Sequence, residues 1–238
     1  MVLEIRVRSL LSQPNYMEGC KMNYPEYPKI NSLFMRDSKT KKFTNEFAEE
    51  EFSIIQNWDV FEKIDGTNIR IFYIPKTDDK EAFIHINGRT NNAQVPVLLY
   101  ETILKKFPVE IFIEKFGDTS VTLFGEGVGG NIQSGLYGPD YDIVLFDIRI
   151  GNFWLKYDDV RGIADCFNVP VVEKIESHEI NSINQIQDFV QTKPFSFFGK
   201  IRGADCISEG VVCKASLGLL NRSGKRIIFK LKVKDFMR

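Results

Sequence analysis

Lys63 stands two residues before an Asp-Gly pair in the stretch "EKIDGTNIR", residues 62–70. A lysine so placed is either a charge beside a turn or a nucleophile held against a phosphate. Asp-Gly is a favoured hairpin turn because both residues tolerate positive φ. Ile69, Ile71 and Tyr73 then alternate with Arg70 and Phe72 as a strand does. On those residues alone the plain reading is a lysine at the mouth of a hairpin. Four further stretches carry groups that phosphate chemistry needs. "LFGEGVGG" sets Glu126 between glycines at a strand end, and "LFDI" sets Phe146 beside Asp147. "EGVVCK" puts Glu209 before a strand, and "FKLK" puts Lys230 and Lys232 two apart, on one strand face. Each also has a structural reading: a solvated turn carboxylate, a core phenylalanine, a strand start, an edge guarded by lysines.

The elements that must position these groups are mostly strands. Residues 1–52 open with a short strand-like piece and continue as Pro- and Tyr-rich irregular chain. Residues 53–74 read as two strands joined through the Lys-x-Asp-Gly turn, and "PKTDDKEA" (75–82) as a polar hairpin connection. Strands are expected in "AFIHINGRT", "TSVTLFGEG", "DIVLFDIRI", "NFWLKY", "EGVVCK" and "RIIFKLKVKDF". Helical spacing marks residues 94–107, stopped by Pro108. Further helices run from Asp158, a plausible N-cap, to about Phe167 and from Ser182 to about Gln191, with "SFFGKIRGADC" as a loop. The expectation is an α+β fold of antiparallel sheets with flanking helices.

The bulk composition is that of a globular chain of 238 residues, with 43% hydrophobic and 26% charged residues and an unusually aromatic core from 20 phenylalanines. No apolar run approaches a membrane span, and the opening residues do not resemble a signal peptide, so the cytoplasm is expected and no membrane partner. Cys20, Cys166, Cys206 and Cys213 are scattered, and His85 and His178 are the only histidines, a pattern that disfavours zinc or a disulfide framework. Net charge is −1, which argues against coating nucleic acid by charge alone. Charge is nevertheless local. Arg222, Lys225, Arg226, Lys230, Lys232, Lys234 and Arg238 stand against Asp235 at the C-terminus, enough to hold phosphates or to guard a strand edge.

Taken in order, the five stretches resemble the collinear motifs of the covalent nucleotidyltransferase superfamily, the ATP-dependent ligases and mRNA capping enzymes. Lys63-Ile-Asp-Gly66 matches the first motif, Phe-Gly-Glu126-Gly the third and Phe146-Asp147 the one that follows it. Glu209-Gly-Val-Val-Cys-Lys214 matches the fourth and Phe229-Lys-Leu-Lys232 the fifth. "EKIDGTN" followed by "GRT" looks most like phage-type RNA ligases. The resemblance implies a nucleotidyltransferase fold with the ATP site between its sheets. The whole chain, 1–238, is then expected to be a single adenylyltransferase domain with no C-terminal OB domain, and a partner could supply recognition of RNA ends.

What the resemblance implies for the residues is specific. Lys63 attacks the α-phosphate of ATP, while Lys230 and Lys232, with a bound Mg2+ or Mn2+, favour loss of its proton and offset phosphate charge. Glu209 is the carboxylate near the metal, reached through waters as suits magnesium, which needs few protein ligands. Glu126 holds the ribose and Phe146 stacks on adenine. Glu62, Ile64 and Lys214 belong to the same nucleotide-binding motifs. Arg70 and Arg89 are expected at ribose or phosphate. Asp65 supports the loop that presents Lys63, and Gly66 allows its turn. AMP then passes to an RNA 5′-phosphate, which is sealed to a 3′-hydroxyl. Two alternatives stay open: a minimal DNA ligase or guanylyltransferase, and a non-ligating nucleotide-binding or protein-adenylylating module.

Overall fold

The computed structural model describes residues 24–175 and 180–237. The opening strand-like piece, Cys20, His178 and Arg238 lie outside them. In chain order the elements are β1 (Asn31–Ser32), β2 (Phe34–Arg36), β3 (Phe43–Phe47), β4 (Trp58–Lys63), β5 (Thr67–Ile74) and β6 (Phe83–Asn87). Next come α1 (Val97–Lys106), α2 (Val109–Phe116), β7 (Val121–Val128), β8 (Asp142–Ile150), β9 (Phe153–Trp154) and α3 (Tyr157–Cys166). The chain finishes with α4 (Ile183–Gln191), α5 (Phe197–Ile201), β10 (Gly210–Ala215) and β11 (Ile228–Lys232).

Two sheets carry the architecture. One is four-stranded, in the order β1-β11-β10-β4, and the other five-stranded, β6-β5-β7-β8-β9. Every pairing in them is antiparallel except β1 with β11, which is parallel. The fold is therefore α+β, as expected, with one mixed sheet.

Period-two alternation decides what each sheet covers. Ile69, Ile71 and Tyr73 of β5 and Leu123 of β7 face a core closed by Leu99 and Ile103 of α1, Phe112 of α2 and Val160 of α3. On the other sheet Trp58, Val60, Val211, Cys213, Phe229 and Leu231 pack on Ile186 and Val190 of α4. Fully burying one such side chain contributes about 1.5–3 kcal/mol. The remaining faces of the two sheets look toward each other, with Phe61, Ile64, Val128, Val144, Val172 and Phe198 clustered between them.

The Lys-x-Asp-Gly stretch is not a hairpin. β4 pairs with β10 and β5 pairs with β6 and β7, so residues 64–66 carry the chain from one sheet to the other. Neither Asp65 nor Gly66 takes a positive φ. Gly66 is needed for space instead: a Cβ there would collide with the Gly127 carbonyl and lie 2.7 Å from Glu126 Cγ.

Three local expectations also change. Pro108 stops α1 and, as the residue before Val109, also starts α2, a helix the apolar and β-branched "VEIFIEKF" concealed. "SFFGKIRGADC" holds α5, capped by the Ser196 hydroxyl accepting from Gly199 N–H. α3 begins after Lys156, so Asp158 lies in its first turn and is not its N-cap. α4 starts after Ser182, as expected, and Gln185 Oε1 accepts from the Ser182 N–H at 3.1 Å.

Candidate active site

Cross-strand register assembles the cations. Gly210 of β10 is directly opposite Lys63 on one side and Lys232 on the other. Val212 stands between Phe61 and Lys230 in the same way, and Lys214 between Asp59 and Ile228. Lys63, Lys232, Lys230 and Lys214 therefore share the face turned toward the five-stranded sheet. Gly210 leaves the space between Lys63 and Lys232 free of a side chain. It also has φ +149°, and a Cβ would collide with Leu231 O and lie 2.7 Å from Lys232 Cα. Glu209, one residue earlier, fills that space. Its Oε2 is 2.5 Å from Lys63 Nζ, and its Oε1 accepts from Lys232 Nζ. Burial alone would raise its pKa, but the two lysines outweigh burial and hold the carboxyl below its ordinary value. Lys230 is pushed down by burial first and then by Lys232, Lys63 and Arg89 around it.

The opposite wall comes from β5, β7 and β8. Glu126 and Asn68 are register partners, and both face the cleft. Burial, partly opposed by Lys63, lifts the Glu126 carboxyl to about 7. Asn68 Oδ1 is buried without a hydrogen-bond partner. β8 carries a bulge: Phe124 pairs with Asp147 but Gly125 pairs with Leu145, so Phe146 is the extra residue. Without the bulge, Phe146 and Asp147 would point to opposite faces. With it, Leu145 and Ile148 both stay in the helix-backed core while Phe146 and Asp147 both turn to the cleft side.

Asp147, 2% exposed, ties the two sheets together. It bridges Lys214 at 2.8 Å and Arg226 at 3.0 Å, and accepts from Tyr27 Oη at 2.6 Å. Arg226 also lies 3.6 Å over the Trp154 ring. Burial would raise Asp147, but Lys214 and Arg226 prevail and depress it. Lys214 is lowered, because burial and the Arg226 charge outweigh the shared carboxylate.

The result is a cleft of about 870 Å³, open mouth included, with Lys63, Lys230, Lys214 and Arg89 among its cations and Phe146, Val172, Val212 and Ile30 among its apolar lining. The loop before β5 is pinned there: Ser134 Oγ donates to Asp65 Oδ2 at 2.6 Å and Gln133 Nε2 to Gly66 O at 3.1 Å.

Of the residues singled out from sequence, Glu62, Lys63, Ile64, Arg89, Glu126, Phe146, Lys214 and Lys230 all line the cleft. Glu209 joins them through Lys63, and Lys232 through Glu209. Within Glu62 the carboxylate is already engaged, accepting from Ser196 Oγ and from Phe198 N–H at 3.0 Å. Arg70 departs from its expectation. It is fully buried, and donates to Gly88 O at 2.7 Å, Asn91 Oδ1 at 3.0 Å and Pro25 O at 3.2 Å. The fourth position of an alternating strand gave no hint of that loop contact. Sequence reasoning passed over Asn68, Tyr27 and the ion-pairing of Asp147 with Arg226. Asn68 was legible as the cleft-side residue of β5, whereas Tyr27 lies in irregular chain with no periodicity to place it.

Among the described residues no group of three or more His, Cys, Asp or Glu side chains is placed to hold a metal, and no helix is long and apolar enough to cross a membrane.

Comparison with known proteins adds an independent finding. A family model described as RNA ligase matches residues 56–232. A Naegleria gruberi RNA ligase mutant solved with AMP and manganese superposes with a TM-score of 0.56 at 19% identity, over 79% of this chain and 53% of that one. Another mutant of that ligase, with ATP and manganese, gives 0.56 at 17% identity over 90% and 63%. An archaeal ATP-dependent RNA ligase gives 0.54 at 15% identity over 89% and 49%. The chain thus spans about half to two thirds of the length of the solved structures it resembles, whose fold it shares. No curated protein matches.

Proposed function

Because the chain belongs to the RNA ligase family, we propose that it is an ATP-dependent RNA ligase and that residues 24–237 build its adenylyltransferase unit. The observation that carries this reading is the row Lys63–Gly210–Lys232 with Glu209 seated between the two lysines, beside a cleft that Phe146 and Val172 also line. Lys63 Nζ attacks the α-phosphate of ATP. A P–N bond forms, the bond from that phosphorus to the bridging oxygen breaks, pyrophosphate leaves and the amine gives up a proton. An RNA 5′-phosphate oxygen then takes the AMP and releases the lysine. Finally the RNA 3′-hydroxyl attacks that 5′-phosphorus and AMP departs.

The side chains fit these tasks. The Lys63 amine must leave Glu209 before it can attack, and phosphates entering beside Lys230, Lys232 and Arg89 compete for the same cations. Phe146 and Val172 offer apolar surface to a base, and the unpartnered Asn68 Oδ1 beside Glu126 offers acceptors to a sugar. A divalent cation also fits. Mg2+ keeps most of its water and needs only one or two carboxylates, which Glu209, and Glu126 near it, provide. Bound there, it would supply charge to offset that of the phosphates.

The test is incubation with α-labelled ATP, GTP or NAD and a divalent metal, followed by a denaturing gel. Sealing assays on nicked DNA, nicked RNA and single-stranded RNA run beside it. Acid-labile label from ATP and sealing of RNA are expected. Label from GTP would make the protein a guanylyltransferase, and sealing of DNA nicks alone a DNA ligase. Label without any sealing would leave an adenylylating module.

A further inference from the structure

The segment from Lys193 to Ser208 leaves four large apolar side chains in water. Phe195 is 53% exposed, Phe197 39%, Ile201 72% and Ile207 44%. They are grouped. Phe195 and Ile207 are partners in a short antiparallel bridge, held by Ser196 N–H to Cys206 O and Ser208 N–H to Pro194 O, both 2.9 Å. Their side chains stand side by side. Phe197 and Ile201 are four residues apart on α5 and share its face. Single exposed apolar residues are ordinary, but a group marks contact with something else.

Charge narrows what that contact is. Lys193, Lys200 and Arg202 stand against Asp205, three positive charges to one negative. Arg202 is committed to Asp142 at 2.9 Å, but Lys193 and Lys200 are exposed, and Lys200 Nζ lies 6.0 Å from the Phe195 ring centre. Protein–protein interfaces are depleted in lysine. Rings interleaved with lysines are what an unpaired nucleic-acid strand needs, a π-face for each base and a cation for its phosphate. The segment is also anchored at the phosphate end of the cleft on two sides. Glu62, next to Lys63, holds Ser196 and Phe198, and Ile207 stands two residues before Glu209.

We propose that this segment is a platform on which unpaired RNA nucleotides next to the joined end stack, Phe195 and Phe197 taking bases and Lys193 and Lys200 taking phosphates. This rests on the ligase reading and names the form of its substrate.

The test uses the full chain and three double variants: Phe195→Ala with Phe197→Ala, the same pair to Leu, and the same pair to Tyr. Each is measured for labelling by ATP and for binding a fluorescent single-stranded RNA of about 12 nucleotides. Labelling should stay at the wild-type level in all three, which also shows that they fold. RNA affinity should fall about tenfold or more in the Ala and Leu pairs and be kept in the Tyr pair, since only Tyr retains a π-face. RNA affinity in the Ala or Leu pair within twofold of wild type overturns the platform. So does a loss of self-association by gel filtration with RNA binding intact, which would make the patch a protein contact. If the wild-type protein takes no label from any nucleotide while RNA binding still depends on the rings, the ligase reading fails and the platform stands.

Discussion

Replacing Asp147 by Asn tests how the two walls of the cleft are joined. The substitution keeps the shape and removes the charge. It leaves Lys214 and Arg226, formerly 2.8 and 3.0 Å from the carboxylate, as neighbouring cations without their anion. Removing one partner of a buried pair costs about 3–5 kcal/mol. Lys214 can relieve part of that by giving up its proton, because burial and Arg226 already lower its pKa, so the low end, about 3 kcal/mol, is expected. At about 2–4 °C per kcal/mol for a protein of this size, Tm should fall by about 6–12 °C, read by differential scanning fluorimetry or circular dichroism. The sign with pH is fixed as well. The Asp147 carboxyl is depressed below its ordinary 3.8 in the folded chain. Its contribution is therefore fully present above that value and is lost as pH falls through the lower, folded value. The deficit of D147N should stay level from roughly pH 5 to 8 and shrink below about pH 4. A Tm change under about 2 °C at neutral pH, or a deficit that grows on acidification, would refute the claim that Asp147 is the charged tie between the sheets.

Other outcomes follow from the same site. Lys63→Ala should take no label from ATP yet still seal RNA that already carries 5′-AMP, whereas Glu209→Ala, Lys230→Ala and Lys232→Ala should fail in that ATP-free assay. A dead Lys63→Ala beside an active Glu209→Ala would reverse the roles. Glu126, lifted by burial to about 7, binds its proton more tightly folded than unfolded, so its burial should lower stability as pH rises from about 4.5 to 7. Glu126→Gln should lack that decline in thermal melts across the range, and an unchanged profile would count against it. Gly66→Ala forces a Cβ against Gly127 O and Glu126 Cγ, and should cost about 1–3 kcal/mol, with weaker ATP labelling as the Lys63 loop shifts. Wild-type Tm and labelling in that variant would show that the loop has room.

Much of this was legible in the sequence where a regular period carried it. The strand of Lys230 and Lys232 announced one face, and the Glu209 and Lys214 stretch announced another strand. The start of α4 at Ser182 was read correctly as well. The failures share a cause, which is that local pattern is silent about pairing partners. Asp-Gly after Lys63 favours a hairpin locally, but β4 and β5 each find better partners elsewhere, and the turn becomes a crossing between sheets. Arg70 sits in a strand like any outward residue, yet loop carbonyls of Gly88 and Pro25 meet it and bury it. The C-terminal basic residues looked like one tail, but the fold divides them. Arg226, Lys230 and Lys232 turn inward, and Arg222, Lys225 and Lys234 remain in water. No periodicity marks a bulge, so only the folded strand shows the joint placement of Phe146 and Asp147.

The crossing at residues 64–66 has a mechanical consequence. The facing sheets are joined by three residues of covalent chain beside Lys63, by residues 170–175, which hydrogen-bond to Leu145 of one sheet and to Val60 and Glu62 of the other, and by the Asp147 ion cluster at Lys214, about 13 Å along β10 from Gly210. The first of these is inextensible and indifferent to the solution, while the ion cluster weakens in acid. A reactive group next to an inextensible link has little freedom to drift, so Lys63 keeps its aim, and the joint that the solution can loosen is the one at the far end of the strand.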